Sequence, residues 1–152
     1  VDAIQDWWRR NQPHYPTAKR LLIEADSGGS NAARSRRYKK RLQDFTDETE
    51  LEITVCHDPP GTSKWNPIEH RLFSQIAATW AGHVLSTLLI LRGFIRRTTT
   101  TTGLKVTATY FEQTYLTVLK VTNAEFKTIQ LTRNNVCPQW NYTIRPRPKN
   151  TE

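Results

Sequence analysis

Two short apolar runs, each long enough for one strand and separated by one helix-length segment, constrain the fold of this 152-residue chain most strongly. The first run, residues 21–23, ends in Asp26 and a glycine-rich loop, which is typical of a strand followed by a tight turn. Residues 51–57 alternate and are rich in β-branched side chains, as strands are. Each run is followed by a helical segment. This order predicts parallel strands with right-handed crossovers in an α/β layer.

The segment between the two strands, residues 32–49, is predicted to be a very basic helix. At about 100° per residue, Tyr38, Leu42 and Phe45 fall within one narrow sector that packs against the sheet. Basic residues fill the remaining surface, and a solvated face is the usual interpretation of such a run. Acidic residues near the end of the helix, Asp47 among them, are expected to be solvated, because they lie at the unfavourable end of the helix dipole.

The sequence also predicts the domain organisation and the remaining helices and strands. One domain is expected over residues 1–152, with a core in residues 1–80 and a C-terminal extension in residues 81–152. An amphipathic helix over residues 1–11 begins the core. The remaining predicted segments are helices at residues 67–80 and 86–97, a strand at 104–110, a short helix at 122–131 capped by Thr122 or Asn123, and an extended tail at 137–152.

The charge balance favours a polyanionic partner. Lys and Arg number 22 against 14 Asp and Glu, which gives a formal net charge of +8, and nucleic acid is the commonest partner of such a surface. Cys56 and Cys137 have neither metal-type spacing nor the pattern of a disulfide scaffold, which fits a reducing cytoplasm. The longest apolar run, residues 84–95, is too short and too interrupted to span a bilayer, so no membrane partner is expected.

Glu69 has two interpretations. Asn66 is a good N-cap and Pro67 suits the first helical position, so Glu69, three residues after the cap, completes a capping box. In helical projection, however, Glu69 falls between Ile76 and Trp80, inside the apolar stripe. A carboxylate on a buried side is costly unless it is paired or binds a metal. Capping and a functional site both remain open.

Asp26 also has two interpretations. Asp is common in turns such as the one that follows, and Asp26 is also a candidate cap for the next helix. It also lies at the carboxyl end of a strand, the edge where ligand sites gather in open α/β sheets. Two parallel strands deliver Asp26 and the start of the Glu69 helix to one edge. Two carboxylates there in a basic protein indicate divalent metal and phosphate chemistry.

The sequence "DPPGTSKWNPIEHRLF" resembles the signature of DDE transposases and is similar to the "PPYSPDLNPIE" loop of mariner-like enzymes. It is most similar to a bacterial group in which "PPGTSK", "IEHRLFS", "TTT", "TGLKV" and a late "WNYTI" recur. Here these motifs begin at Pro59, Ile68, Thr98, Thr102 and Trp140. The resemblance runs along nearly the whole chain, and it implies an RNase H-like fold, a mixed five-stranded sheet flanked by helices and holding three acids.

The resemblance implies DNA cleavage and strand transfer at transposon ends by a bacterial cytoplasmic protein associated with the nucleoid. Asp26 matches the second acid and Glu69 the third, and together they imply two Mg²⁺ or Mn²⁺ ions. The first acid lies on an opening strand with no match here, since Asp2 and Asp6 fall in the first helix. The chain contains no Met and begins at Val1. We therefore expect a fragment that is inactive without the upstream part of the domain.

The resemblance also gives possible phosphate contacts. Lys64 and His57 flank the signature loop, where the alternatives are a solvated lysine and a strand-end histidine. In this context phosphate contact is as good an interpretation of the basic helix as solvation. The candidate phosphate contacts on this helical segment are Arg34, Arg36, Arg37, Lys39, Lys40 and Arg41.

Two other classes of function and one assembly remain open. A non-catalytic, nucleic-acid-binding relic of a transposase retains the basic surface without holding two metals. A basic structural protein, such as a ribosomal component, binds RNA whatever the state of those acids. In the family fold the opening strand lies beside residues 20–26, so a chain without it is expected to form homodimers or aggregates through that apolar edge.

Overall fold

The computed structural model describes residues 1–59, 61–112 and 120–149. The chain divides into two compact units, the first made of Val1–Pro60 and Val118–Glu152 and the second of Gly61–Thr117. The first unit contains a mixed sheet flanked by helices, and the second is helical. The predicted division of the chain at residue 80 stays a prediction.

The first unit is built on the predicted parallel pair. Strand β1 (Arg20–Ala25) pairs with β2 (Glu52–His57) in parallel, in a register that runs from Arg20 opposite Glu52 to Ala25 opposite His57. The predicted strands and their direction are therefore confirmed. Their carboxyl ends lie together, and the amide of Asp58 donates to the carbonyl of Ala25 at 2.7 Å.

Helix α1 (Asp2–Asn11) precedes β1 in sequence, and helix α2 (Arg36–Thr49) lies between the two strands. In α1 the indole of Trp8 is buried, and Asp2 at its start forms an ion pair with Arg41. Helix α2 begins one turn later than predicted, because Ser35 caps it by accepting a hydrogen bond from the Tyr38 amide at 3.2 Å. Its buried stripe includes the three predicted side chains.

The C-terminal segment supplies the other half of the sheet. Helix α5 (Asn123–Lys127) begins at Thr122, one of the two predicted caps, which forms a capping box with Glu125. Strands β3 (Leu131–Arg133) and β4 (Asn141–Ile144) follow. The strand order is β1-β2-β4-β3, with β4 antiparallel to both neighbours. The tail was expected to lie extended along the domain, but its start is a strand inside the sheet.

The core of the first unit joins α2 to the sheet. Leu42 and Phe45 pack with Ile53, Val55 and neighbouring buried residues. A buried glutamine, Gln43, crosses this layer: its amide nitrogen donates to the Arg145 carbonyl at 2.9 Å, and its oxygen accepts from the Gln130 amide at 2.7 Å. Because both ends are satisfied, burial of this polar side chain links α2 to the C-terminal strands.

The expectation for Asp47 was wrong. Its carboxylate accepts hydrogen bonds from the backbone amide and the Nε of Arg147, each at 2.8 Å. It also accepts one from the side-chain Nε2 of Gln43 at 2.8 Å. These hydrogen bonds outweigh the unfavourable end of the helix dipole. They were not predicted because Arg147 lies a hundred positions later in the chain. Asp47 therefore ties the tail to α2.

The second unit is helical. After Asn66 the chain forms a π-helical turn (Glu69–Phe73) that continues as α3 (Ser74–Trp80), and α4 (Leu88–Arg97) begins at the Thr87 cap. Ile76 is buried there, and the rings of His83 and Phe94 are 4.7 Å apart. The predicted strand at residues 104–110 is wrong, since that segment is irregular. Among the described helices, none is long and apolar enough to cross a membrane.

Candidate active site and nucleic-acid interface

Asp26 immediately follows β1, at the carboxyl end of the parallel pair. Its Oδ1 accepts hydrogen bonds from the Gly28 amide and from the side-chain amide of Asn31, both at 3.0 Å. These two bonds, the Gly28 bond first, lower the pKa of Asp26 below its ordinary value. The side chain is exposed. Because both bonds fall on Oδ1, Oδ2 is left to face an outside ligand as an ionised, hard oxygen donor.

The loop after Asp26 has an unusual backbone. Ser27 adopts a left-handed conformation with φ 58°, as does Gly29 with φ 50°. A Cβ on Gly28 would lie only 3.1 Å from Asp26 Oδ2. The loop therefore wraps closely around the carboxylate, and strained backbone of this kind is concentrated at functional sites.

His57, at the carboxyl end of β2, points into the interior. The residue is only 4% exposed, and Nε2 shares a 3.0 Å hydrogen bond with the Tyr142 hydroxyl. Burial, followed by the charge of Lys39, lowers the pKa of His57 and favours the neutral ring. The proposed contact with a DNA phosphate does not fit this placement, because the ring faces Tyr142 and Tyr38. The alternative of a strand-end histidine describes it better.

Glu69 belongs to the second unit and opens its π-helical turn. The capping box, one of the two interpretations of Glu69, is not formed, since the Asn66 side chain accepts from the Ile68 amide at 3.1 Å. The Glu69 side chain is half-buried, and with the described residues of its own unit its carboxylate forms no hydrogen bond or ion pair. The amide of Ser74 donates to the Glu69 carbonyl, which inserts one residue into the turn. Such π-turns occur frequently at functional sites.

Lys64 lies on the exposed loop before that turn. Its ammonium is 5.1 Å from the centre of the Trp65 ring, which is itself 73% exposed. The loop therefore presents a cation and an aromatic ring to solvent. This placement is compatible with both the solvated lysine and the phosphate contact.

The basic residues of the helical segment do not share one surface. Arg34 is exposed and precedes the Ser35 cap, so it lies outside the helix. Arg36 donates to the Asn123 side chain at 2.6 Å and lies over the Phe126 ring. Arg37 lies in the first turn. Farther along, Lys40 pairs with Asp44 on the same helix, and Arg41 pairs with Asp2.

Lys39 departs most from its predicted place. It is only 5% exposed, and its ammonium lies 5.0 Å from the centre of the Tyr142 ring. The basic residues of this helix were expected to be solvated or to contact phosphate, outside one apolar stripe. For Lys39 the expectation of a solvated side chain was wrong, because the side chain is buried. The aromatic residues that cover it lie more than eighty positions later, so no local pattern signalled its burial.

Sequence reasoning also missed Arg133 and Trp140. With Arg34, Arg36 and Lys39 they line a cleft of about 750 Å³ beside the loop after Asp26. The backbone explains the position of Trp140, because its carbonyl accepts from the His57 amide at 3.1 Å. The late motif beginning at Trp140 marked this segment, but nothing in it indicated a cleft wall.

The comparisons with known proteins agree with the resemblance. The sequence profile described as the Rhodopirellula transposase DDE domain matches residues 1–146 of this chain. The chain belongs to this family. No curated protein and no solved structure matches it.

As a DDE transposase domain the chain falls in the polynucleotidyl transferase and nuclease class, with DNA as the partner of the family. The two acids that match its pattern belong to different units, Asp26 to the first and Glu69 to the second. Within residues 1–59, 61–112 and 120–149 no three His, Cys, Asp or Glu side chains form a group able to hold a metal. The two earlier acids of this transposase domain, Asp2 and Asp6, are in ion pairs on α1.

Proposed function

We propose that this transposase domain takes part in metal-dependent cleavage and strand transfer of DNA, with Asp26 and Glu69 as metal ligands in an RNase H-like fold. The observation that carries the proposal is the Asp26 carboxylate. It is ionised, held by two hydrogen bonds on one oxygen, and exposed at the carboxyl end of two parallel strands. In open α/β sheets this edge is where ligands bind.

The donor set fits Mg²⁺ or Mn²⁺. Hard divalent cations take oxygen ligands, and both carboxylates have oxygens that no described residue of their own unit engages. When bound, such ions activate an attacking oxygen and stabilise a leaving one. The loop from Ser27 to Asn31 fixes the Asp26 carboxylate before any metal arrives. The π-turn sets the direction of Glu69. A third acid, which the family pattern places with these two, belongs to the same proposal.

A nicking assay tests this function. With supercoiled plasmid, Mg²⁺ or Mn²⁺, and a protein in which the third acid is also supplied, Asp26→Asn and Glu69→Gln are expected to abolish cleavage, because amides are poor ligands for these ions. Glu24→Gln and Glu112→Gln are matched controls, since both residues are exposed acids, one on the same strand as Asp26 and one in the same unit as Glu69. Cleavage that survives Asp26→Asn and Glu69→Gln, or is lost equally in the controls, contradicts the proposal.

A second candidate is DNA binding without cleavage. It is favoured by the basic cleft of the first unit, which needs no metal to attract a polyanion. In this case Asp26→Asn and Glu69→Gln leave DNA affinity unchanged, and no metal-dependent nicking is seen in the wild type.

A further inference from the structure

The cleft beside the loop after Asp26 carries an excess of positive charge. Four cationic side chains line it: Arg34, Arg36, Lys39 and Arg133. No acidic residue is among its described lining residues. Since cations repel one another, a built cluster of this kind is expected to hold an anion.

Lys39 is the strongest indication of a ligand. Its side chain is buried, with only 5% of the residue exposed. Within the described residues the ammonium forms no hydrogen bond and no ion pair, and it contacts only the faces of two aromatic rings. Burial, followed by the charge of Arg133, lowers the pKa of Lys39. Buried charges are normally paired, and an anion in the cleft supplies the partner that this ammonium lacks.

The backbone adds donors at the same place. Ser35 and Arg36, at the start of the fourteen-residue helix α2, line the cleft. The positive end of the helix dipole and the first amides of a helix favour phosphate. Ser27 Oγ also belongs to a lining residue, is buried, and has no hydrogen-bond partner among the described residues.

The cleft is larger than a phosphate requires. Its volume of about 750 Å³ lies within the range of about 300–1,000 Å³ typical of pockets for small molecules. Trp140 lines it with a half-buried indole, next to the exposed amide side chain of Gln139. An aromatic wall beside a cation cluster is the combination that binds an unpaired nucleotide, through base stacking and phosphate contacts.

We propose that this cleft binds one unpaired nucleotide of a DNA strand, with its phosphate against Arg34, Lys39 and the start of α2 and its base beside Trp140. The proposal rests on the proposed function only in taking DNA as the polyanion. It adds the C-terminal residues Arg133 and Trp140 to the DNA-binding surface. It also places a single-stranded nucleotide next to the loop that holds Asp26.

Binding of a dye-labelled single-stranded oligonucleotide, followed by fluorescence anisotropy in EDTA, tests the phosphate half. Arg34→Gln is expected to weaken binding about tenfold, as the loss of a charge-assisted hydrogen bond does, and to reduce the salt slope by about 0.7. Arg20→Gln is the matched control: an exposed arginine at the opposite end of β1, outside the cleft. Equal weakening by the two variants overturns the proposal, because it reduces the effect to net charge.

The base half is tested with an abasic strand that has the same phosphates. The wild type is expected to bind the base-containing strand about tenfold more tightly, and Trp140→Leu is expected to remove that preference. Trp7→Leu, at an exposed tryptophan outside the cleft, is expected to keep it. Equal affinity of the wild type for the two strands overturns the proposal. Displacement of the strand by free dAMP at the concentration at which the strand itself binds overturns the assignment to DNA.

Two precautions keep the outcomes distinct. Arg133→Gln, at another cation that lines the cleft, repeats the phosphate test, and circular dichroism melting establishes that each variant is folded. Because the binding is measured in EDTA, its failure leaves the cleavage roles of Asp26 and Glu69 intact. Conversely, a protein that binds DNA correctly but stays inactive when the third acid is supplied contradicts the proposed function alone.

Discussion

At the scale of single residues, Gly28 controls how closely the loop approaches Asp26. A Cβ at this position would lie 3.1 Å from Oδ2 and 3.3 Å from Oδ1 of the carboxylate, while the Gly28 amide donates to the same group. The carboxylate must move if any side chain is introduced. Its hydrogen bonds and its direction therefore depend on a glycine that no catalytic motif contains.

Gly28→Ala is predicted to raise the pKa of Asp26 towards its ordinary value, because the displaced carboxylate loses part of the Gly28 hydrogen bond. Metal affinity is expected to fall about tenfold, as it does when groups that orient a ligand are altered. An NMR titration of the Asp26 carboxyl carbon measures the first effect. Gly93→Ala, in the open surroundings of α4, is the control and leaves the Asp26 titration unchanged. An unchanged titration in Gly28→Ala contradicts the account.

At the scale of secondary-structure elements, one carboxylate attaches the C-terminal tail to α2. Asp47 holds both the backbone and the side chain of Arg147. Burial of Asp47 opposes its ionisation, but the bonds from Arg147 and Gln43 outweigh it and lower the pKa of Asp47. The stabilisation is therefore fully present above the ordinary Asp pKa of about 3.9 and is lost as the pH falls through the lower pKa of the folded state.

Asp47→Asn is predicted to lower the free energy of unfolding by about 1–3 kcal/mol at pH 7, the usual range for a charge-assisted hydrogen bond. Urea unfolding measures this difference, which is expected to shrink as the pH falls below the pKa of folded Asp47. Glu48→Gln is the control, since the exposed Glu48–Arg9 pair contributes at most about 1 kcal/mol. A pH-independent difference for Asp47→Asn contradicts the ionic origin of the effect.

The elements found from sequence are those with local patterns. Strands β1 and β2 are continuous apolar or alternating runs, α2 has a regular stripe, and α5 has a capping box within four residues. Strands β3 and β4, of three and four residues, are too short to carry a pattern. They form because β2 offers its edge to β4, and β4 offers its other edge to β3. The alternating segment at 104–110 has a strand pattern but forms no strand, which shows the same dependence on pairing.

In the candidate site too, residues marked by a local pattern were found from the sequence, and residues placed by contacts distant in sequence were not. Asp26 and Glu69 were found because acids beside turn-formers and motif residues are visible in the sequence, and their roles stay predictions. The burial of Lys39 and His57 was not visible, because the aromatic ring that they share, Tyr142, comes from β4. Arg133 and Trp140 were missed for the same reason. Contacts across the fold decided these positions.

At the scale of the whole molecule, β1 is an outer strand of the sheet, and no described strand pairs with its other edge. Leu22 on this strand is 60% exposed. Such an edge invites pairing with another chain. We therefore predict self-association through β1.

Leu22→Lys is predicted to shift the protein towards the monomer, because a lysine on an edge strand opposes strand pairing. Light scattering over a concentration series measures this. Leu89→Lys, at a 68% exposed leucine of α4 in the second unit, is the control. A monodisperse wild-type monomer contradicts the prediction, and so does a protein that Leu89→Lys disperses and Leu22→Lys does not.

The central claim is that Asp26 and Glu69 are ligands of divalent metal. NMR with Mn²⁺ tests it most directly, since the ion broadens the signals of nearby amides. Titration is predicted to broaden the amide signals of Gly28 and His70. Asp26→Asn is predicted to abolish the effect at Gly28, and Glu69→Gln the effect at His70. Broadening at neither position, or broadening at Gly28 that persists in Asp26→Asn, would contradict the assignment of these carboxylates as metal ligands.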